Sequence, residues 1–284
     1  MKIAFLGPEG SYSHQAAKIF LKTESTEIKS KAQWDECIPF RNFPEVISAV
    51  ELGRVDAAVL PIENSVQGGV AQCLDLLQEI SGVYGVKETV LQVDHRLVYK
   101  EGVSLSQIGR VYSHRQALDQ CSKFLSREMP FASLREAEST AFGLTRAMED
   151  ETGKSAAIAG SHTENIRKGF VMSEESISNE KNNFTHFLLI KKGKDSLPNV
   201  SERVFFSAVC PHTPGSLVKL LQIIGSYGVN MPRIESRPVK NRPGDYRFFI
   251  EADCDIACAK TQEMLETIKA ETLECKILGA YSKQ

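Results

Sequence analysis

The sequence predicts an α/β protein of two lobes, followed by a smaller βαββαβ module of ferredoxin-like type. Three observations predict it. Short, nearly continuous apolar runs alternate with helical patterns through the first two thirds of the chain, the grammar of strands covered on both faces and linked by crossover helices. These units fall into two groups, before and after about residue 90, which predicts two lobes. Beyond the polar stretch Lys191-Lys192-Gly193-Lys194-Asp195-Ser196-Leu197-Pro198-Asn199, which reads as a linker, the order becomes strand, helix, strand, strand, helix, strand within about 80 residues.

Each element has its own signal. Lys2–Leu6 is a compact apolar run ending at Gly7-Pro8, and Ser13 is placed to cap a helix whose apolar positions Ala16, Ala17, Phe20 and Leu21 share one face. Pro44 starts a second helix through Val46, Ile47 and Val50, closed by Gly53. Val55–Leu60 reads as a strand buried on both faces, so the sheets are expected to be parallel. The second group repeats the pattern with a strand at Gly109–Tyr112, helices at Gln116–Leu125 and Ala137–Met148, and a strand at Ser155–Ala159. Phe184–Ile190 is a further strand. In the module, strand Val204–Val209 precedes a helix from Pro214 with Leu217, Leu220, Leu221 and Ile224 on one face, ended by Gly228. Strands at about Val229–Val239 and Tyr246–Ala252 flank an Asn241-Arg242-Pro243-Gly244 turn. A helix with Met264, Leu265 and Ile268 leads to a last strand, Cys275–Tyr281, and the module reads as an independent domain.

Composition narrows the function classes. The chain has 284 residues, 42% hydrophobic and 25% charged, ordinary for a folded protein of about two domains. Lys plus Arg total 34 against 36 Asp plus Glu, so the cation excess that a nucleic-acid binder needs is absent. The N-terminal apolar run turns after five residues, too soon for the core of a signal peptide, and no run approaches the ~18 apolar residues of a membrane helix. Seven scattered cysteines without a C-x-x-C pair predict reduced thiols and a cytoplasmic protein.

Several segments carry chemistry. Gly7-Pro8-Glu9-Gly10-Ser11-Tyr12-Ser13-His14 lies between a strand and a helix, and reads either as a plain turn or as a cradle of backbone N–H groups for an anion. It matches no nucleotide-binding pattern. Leu60-Pro61-Ile62-Glu63-Asn64-Ser65 places short polar side chains at a strand exit, where α/β ligand sites form, though an Asx turn has the same signature. Ser113-His114-Arg115-Gln116 repeats that placement, with Gln120 further along the following helix, and Glu138-Ser139-Thr140 reads first as a helix cap. On Phe184-Thr185-His186-Phe187, period-two alternation sends Thr185 and Phe187 to one face and His186 to the other. The six histidines show no metal-ligand spacing, so no metal is expected. In the module, Thr213-Pro214-Gly215-Ser216-Leu217 opens a helix. Arg233, Arg237, Lys240, Arg242 and Arg247, with Glu235 and Asp245, form either a solvated hairpin or a carboxylate-recognising surface.

Together these segments resemble the prephenate dehydratase family in its monofunctional form with a C-terminal ACT domain. The resemblance rests on Gly7 to Ala17, on Pro61 to Ser65, on Ser113-His114-x-Gln116-Ala117 with Gln120, on Thr185-His186-Phe187 and on Glu235-Ser236-Arg237-Pro238. It implies a catalytic domain at 1–192 with two lobes like those of periplasmic binding proteins, a linker at 193–201 and an ACT domain at 202–284. It also implies conversion of prephenate to phenylpyruvate, water and CO2 without a cofactor. Thr185 corresponds to the family's essential threonine, a hydrogen-bond donor to the departing hydroxyl. Asn64, Ser65, Ser113 and Gln120 match positions lining the cleft, and Glu63, His186 and Phe187 complete the implied substrate-binding set. Glu63 there orients its loop or pairs with a cation. L-phenylalanine is the implied allosteric ligand, at Gly215, Ser216, Leu217, Asn230, Glu235 and Ser236, with self-association into a dimer or tetramer through the ACT domains. No membrane or nucleic-acid partner is implied. Arogenate dehydration and non-catalytic amino-acid sensing are the alternatives.

The chain departs from the family pattern at His186, where an arginine is usual. Either the residue holds a substrate carboxylate, making affinity depend on pH or on a substitute such as Arg115, or it supports the strand from the opposite face. Ser216 replaces a usual alanine and Pro232 a common threonine.

Overall fold

The computed structural model describes residues 1–27, 36–164, 166–240 and 242–282. Asn241 of the expected hairpin turn lies outside the described residues. Lobe one begins with the parallel strands β1 (Lys2–Leu6), β2 (Glu36–Phe40) and β3 (Ala57–Asn64), with β1 in the middle. Helices α1 (Tyr12–Glu27) and α2 (Phe43–Glu51) connect them. Asn42 caps α2 by accepting from the Glu45 N–H, with Pro44 in the first turn as its fixed φ favours. α1 starts earlier than expected. Ser11, rather than Ser13, accepts from the His14 N–H, and Ser13 is buried. Two-residue β4 (Gly68–Gly69) folds back on β3 and is followed by α3 (Ala71–Glu79) and β5 (Val83–Gln92).

Lobe two is a five-stranded sheet. Its elements are β6 (His95–Lys100), β7 (Arg110–Ser113), α4 (Arg115–Gln120), α5 (Ser122–Glu128), β8 (Ser133–Glu136), α6 (Thr140–Glu149), β9 (Ser155–Gly160) and β10 (Phe170–Met172), ordered β10-β6-β9-β7-β8. The single helix expected over Gln116–Leu125 is two, broken at Cys121. Strand β11 (Phe184–Lys192) then returns to lobe one and lies antiparallel between β3 and β5. Both sheets are therefore mixed, not parallel. The chain leaves lobe one from the end of β5 and re-enters it at that same end, so the returning strand has no crossover helix and must run the other way.

The C-terminal module comprises β12 (Arg203–Val209), α7 (Ser216–Ser226), β13 (Arg233–Pro238), β14 (Tyr246–Ala252), α8 (Ala259–Glu271) and β15 (Glu274–Tyr281), ordered β13-β14-β12-β15 as in ferredoxin-like folds. It is not independent of lobe one. One face of its sheet packs on its own helices through Val204, Phe206, Ile224, Met264 and Ile268. The other face carries Phe205, Phe249, Leu278 and Tyr281 into the core of lobe one, against Leu74, Leu77 and Leu188. Each such buried side chain is worth roughly 1.5–3 kcal/mol, so separating the two bodies is costly. β15 also runs parallel to β5, with Gly279 opposite Gly85, making one ten-stranded sheet. No helix among the described residues is long and apolar enough to cross a membrane.

Candidate active site

A cleft of about 430 Å³ opens between the lobes. Its walls come from the loop after β1, from Asn64 at the exit of β3, from His95 at the start of β6, from His114 to Gln120 after β7, and from Ser139 and Thr140 at the start of α6. These are strand exits and helix starts, where α/β folds place ligands. Thr185 and Phe187 join the same wall. Because β11 runs antiparallel to β3, its first residues lie beside the last residues of β3, and Thr185 pairs with Asn64 in register.

Asn64 is held in one orientation. Its Oδ1 accepts from the N–H groups of Val66 and Gln67, both at 3.1 Å. Its Nδ2 must therefore point the other way, and it donates to Asn183 Oδ1 at 2.7 Å and Thr185 Oγ1 at 3.0 Å. With that contact Thr185 is an acceptor towards Asn64, and its own O–H proton is left for the cleft. Thr185 is 9% exposed, so the hydroxyl works in a site largely screened from water. Ser65 pins the approach to β11, donating to the Asn182 carbonyl at 3.1 Å and accepting from the Phe184 N–H at 2.9 Å.

Across the cleft floor, His95 Nε2 lies 2.9 Å from Gln120 Oε1. His95 is 4% exposed, and burial pushes its pKa below the ordinary histidine value. A neutral ring donating from Nε2 then carries a lone pair on Nδ1, which meets no partner among the described residues. Gln120 Oε1 also accepts from Asn183 Nδ2 at 3.4 Å, which leaves the Gln120 Nε2 donors unpartnered among the described residues. The chain of contacts Thr185–Asn64–Asn183–Gln120–His95 thus links both lobes under the cleft. Sequence reasoning missed His95 and Asn183. The Asn182-Asn183 pair just ahead of a strand was a legible signal for the second; the first had none.

Four expected substrate-binding residues lie off the cleft wall, among them Ser65, whose hydroxyl is taken up by Asn182 and Phe184. Ser113 is fully buried, and its Oγ donates to the Ile158 carbonyl at 2.9 Å, because the last residue of β7 points into the core of lobe two. Glu63 and His186 sit opposite each other on β3 and β11, and strand alternation turns both to the face away from the cleft. There His186 Nδ1 lies 2.7 Å from Glu88 Oε1, and Glu63 faces Arg233. Arg115 is exposed and outside the cleft, and none of the described residues lining it is Lys or Arg. The positive potential available to a carboxylate there comes from neutral donors and from the starts of α1 and α6. Tyr12, at the start of α1, both donates to the Asp94 carbonyl and accepts from the Asp94 N–H at 2.9 Å, locking that helix to the hinge between lobes.

In the module, Gly215 takes φ +86°, a left-handed cap for α7, and Ser216 and Leu217 border a cavity of about 340 Å³. Asn230 instead donates to Asp253, Glu235 pairs with Arg233 and lies against Gly69 of lobe one, and Ser236 is a ladder residue of β13. The six expected phenylalanine contacts are not gathered into one site within the chain. The cations of the hairpin are paired with carboxylates. Arg233, Arg237 and Lys240 reach Glu63, Asp75 and Glu79 of lobe one, and Arg242 and Arg247 engage Glu274.

Comparison with known proteins adds to this geometry. Residues 3–195 match the family model described as prephenate dehydratase. The chain is 32% identical over 284 residues to a bifunctional chorismate mutase/prephenate dehydratase of Aquifex aeolicus strain VF5, covering all of this chain and 74% of that protein. It is 29% identical over 286 residues to a prephenate dehydratase of Amycolatopsis methanolica, covering 99% of this chain and 88% of the relative. Among solved structures, prephenate dehydratase from Arthrobacter aurescens in complex with L-Phe superposes with a TM-score of 0.82 at 29% identity, covering 100% of this chain and 90% of that one.

Proposed function

The chain belongs to the prephenate dehydratase family and is an enzyme of the lyase class, and from that premise we propose that it turns prephenate into phenylpyruvate, CO2 and water under feedback by L-phenylalanine. The observation that carries the reaction is the orientation of Thr185. Prephenate is a cyclohexadiene with a hydroxyl at C4 and a carboxylate at C1. When the C1–carboxylate bond breaks, its electron pair enters the ring, CO2 departs, and the ring becomes aromatic as the C4–O bond breaks. The leaving oxygen needs a proton. Thr185, its acceptor side filled by Asn64, presents its O–H as a positioned donor, or as a relay from water. Gln120 Nε2 and the starts of α1 and α6 meet the remaining carboxylate, and Phe187 backs the ring.

Incubating the chain with prephenate and following phenylpyruvate absorbance tests the reading, with arogenate as the parallel substrate. Formation of phenylpyruvate is expected. Faster turnover of arogenate would reassign the substrate, and no product from either would overturn the assignment.

We assign residues 202–284 as an ACT module and 1–192 as the catalytic domain, joined through 193–201. The Arthrobacter relative bound to L-Phe supports the feedback reading. Since the expected contacts at Ser216 and Glu235 stay apart within one chain, pairing of two modules into a dimer or tetramer is what would bring them together. A phenylalanine titration checks this: inhibition with a sigmoidal or non-competitive form is expected, whereas purely competitive inhibition would place phenylalanine in the cleft. Seven free thiols fit a reducing, cytoplasmic setting.

A further inference from the structure

On the face of the sheet opposite the cleft, a closed circuit of ionic groups starts and ends on one rung. His186 Nδ1 is 2.7 Å from Glu88, whose other oxygen lies 3.4 Å from Arg203 Nη1 at the start of β12. Arg203 continues to Glu251 at 3.2 Å, and Glu251 to Arg233 Nη1 at 3.5 Å. Arg233 then reaches Glu63 at 3.5 Å, and Glu63 is the ladder partner of His186. The next rung is Asn64 and Thr185.

The ladder is irregular at this spot. Register slips between His186 and Phe187, which face Glu63 and Pro61, so Ile62 is the extra residue of a bulge. Its carbonyl accepts from the Val70 N–H at 2.9 Å rather than from β11, and Arg233 Nη2 donates to it as a second partner at 2.8 Å. Arg233 is 7% exposed, and Glu88 and Glu251 are also buried. Buried ion pairs are poor sources of net stability because of their desolvation, but they hold geometry, since each broken link strands a charge. A bulge so near the reacting hydroxyl is where the backbone ladder holds position least well, and there the module adds a second, charged donor to the bulged carbonyl.

We propose that Arg233 and Arg203 of the C-terminal module are positioning residues for the dehydration: the circuit they close holds the bulged rung, and so keeps Thr185 aimed into the cleft. The module then completes the catalytic centre from behind. This rests on the reading of Thr185 as proton donor.

The circuit has a titratable member. His186 is faced by Glu88 on β5, Glu63 on β3 and Glu251 on β14, with Arg203 on β12 beyond Glu88. Its hydrogen bond to Glu88 raises its pKa above the ordinary value, which favours the charged ring in the complete circuit. As pH rises through that pKa the link to Glu88 weakens.

The test is kcat and KM for prephenate on the full chain from about pH 6.5 to 9, a window spanning histidine titration. Wild type should lose kcat towards alkaline pH with KM steady. His186→Arg should hold kcat level over the same range, and His186→Gln should sit on a low, flat plateau. Arg233→Met should lower kcat by roughly 10–100-fold, the scale of a sub-ångström to 1 Å misplacement, with Arg233→Lys recovering part of it. The His186 variants change a half-exposed side chain and keep the proposal testable if Arg233→Met fails to fold. An alkaline loss in KM instead of kcat would overturn it, and so would wild type and His186→Gln sharing one pH-independent kcat. Absence of turnover by wild type would strike the assigned reaction and not the circuit.

Discussion

The side-chain amide of Asn64 donates to the hydroxyl of Thr185 at 3.0 Å, while its oxygen is held by two backbone N–H groups. Neither residue can reverse its role without breaking those bonds, so the threonine proton is available to a substrate lying in the cleft.

Removing that proton removes the donor. Thr185→Ala should lower kcat by about 10²–10⁴-fold, the usual share of general acid catalysis, and Thr185→Ser should retain much more. Steady-state phenylpyruvate formation reads both. Equal rates for the alanine variant and wild type would take Thr185 out of the reaction.

Asn64→Asp tests the orientation without changing the size of the side chain. A carboxylate cannot donate, so the Thr185 hydroxyl would turn to donate to the introduced carboxylate and away from the substrate. A loss in kcat of about 10²-fold or more is expected, beyond any change in KM. A variant impaired only in KM would show that Asn64 binds substrate and does not orient Thr185.

Stability should be highest near neutral pH. Burial lowers the pKa values of His14, His95 and His162, so below about pH 6.5 the unfolded chain binds protons that the folded chain resists, and stability falls as pH falls. His186 acts in the opposite sense, because its pKa is raised by Glu88. Its stabilisation is present below about pH 6.5 and is lost as pH rises through the higher folded value. Thermal melts should give a lower Tm at both about pH 5.5 and about pH 9 than at about pH 7, values chosen around the ordinary histidine pKa of about 6.5. His95→Gln should shrink the acid-side drop, and an unchanged drop would remove His95 as a source of it.

The seam between β5 and β15 depends on two glycines. A Cβ on Gly279 would stand 2.5 Å from the Gly85 carbonyl oxygen and 2.9 Å from its Cα, both backbone atoms that cannot swing aside. Gly279→Ala should therefore cost about 1–3 kcal/mol in denaturant unfolding, as overpacking does. Unchanged stability would mean that the seam opens freely.

Local signals in the sequence determined most of the elements, and with them the α/β class, the module's βαββαβ order and the family. Hydrophobic period and helix-start residues act within a few positions of themselves, which is why Lys2–Leu6, Pro44 and Ser139-Thr140 read correctly. Alternation along β11 even separated Thr185 and Phe187 from His186 before any partner was known. What lies across the sheet was beyond reach. Ser113 looked like a ligand contact because its neighbours are, yet its hydroxyl is spent on Ile158, 45 positions away. The cations of the hairpin read as either solvated or ligand-binding because the acceptors of Arg233, Arg237 and Lys240, namely Glu63, Asp75 and Glu79, lie in the first lobe. Pairings of that kind depend on where the chain returns to the sheet after leaving it, a choice made by packing two bodies on one core and not by the residues nearby. The tertiary structure alone decided that the module is joined to lobe one, that the cleft carries no described cation, and that Asn183 and His95 complete its floor.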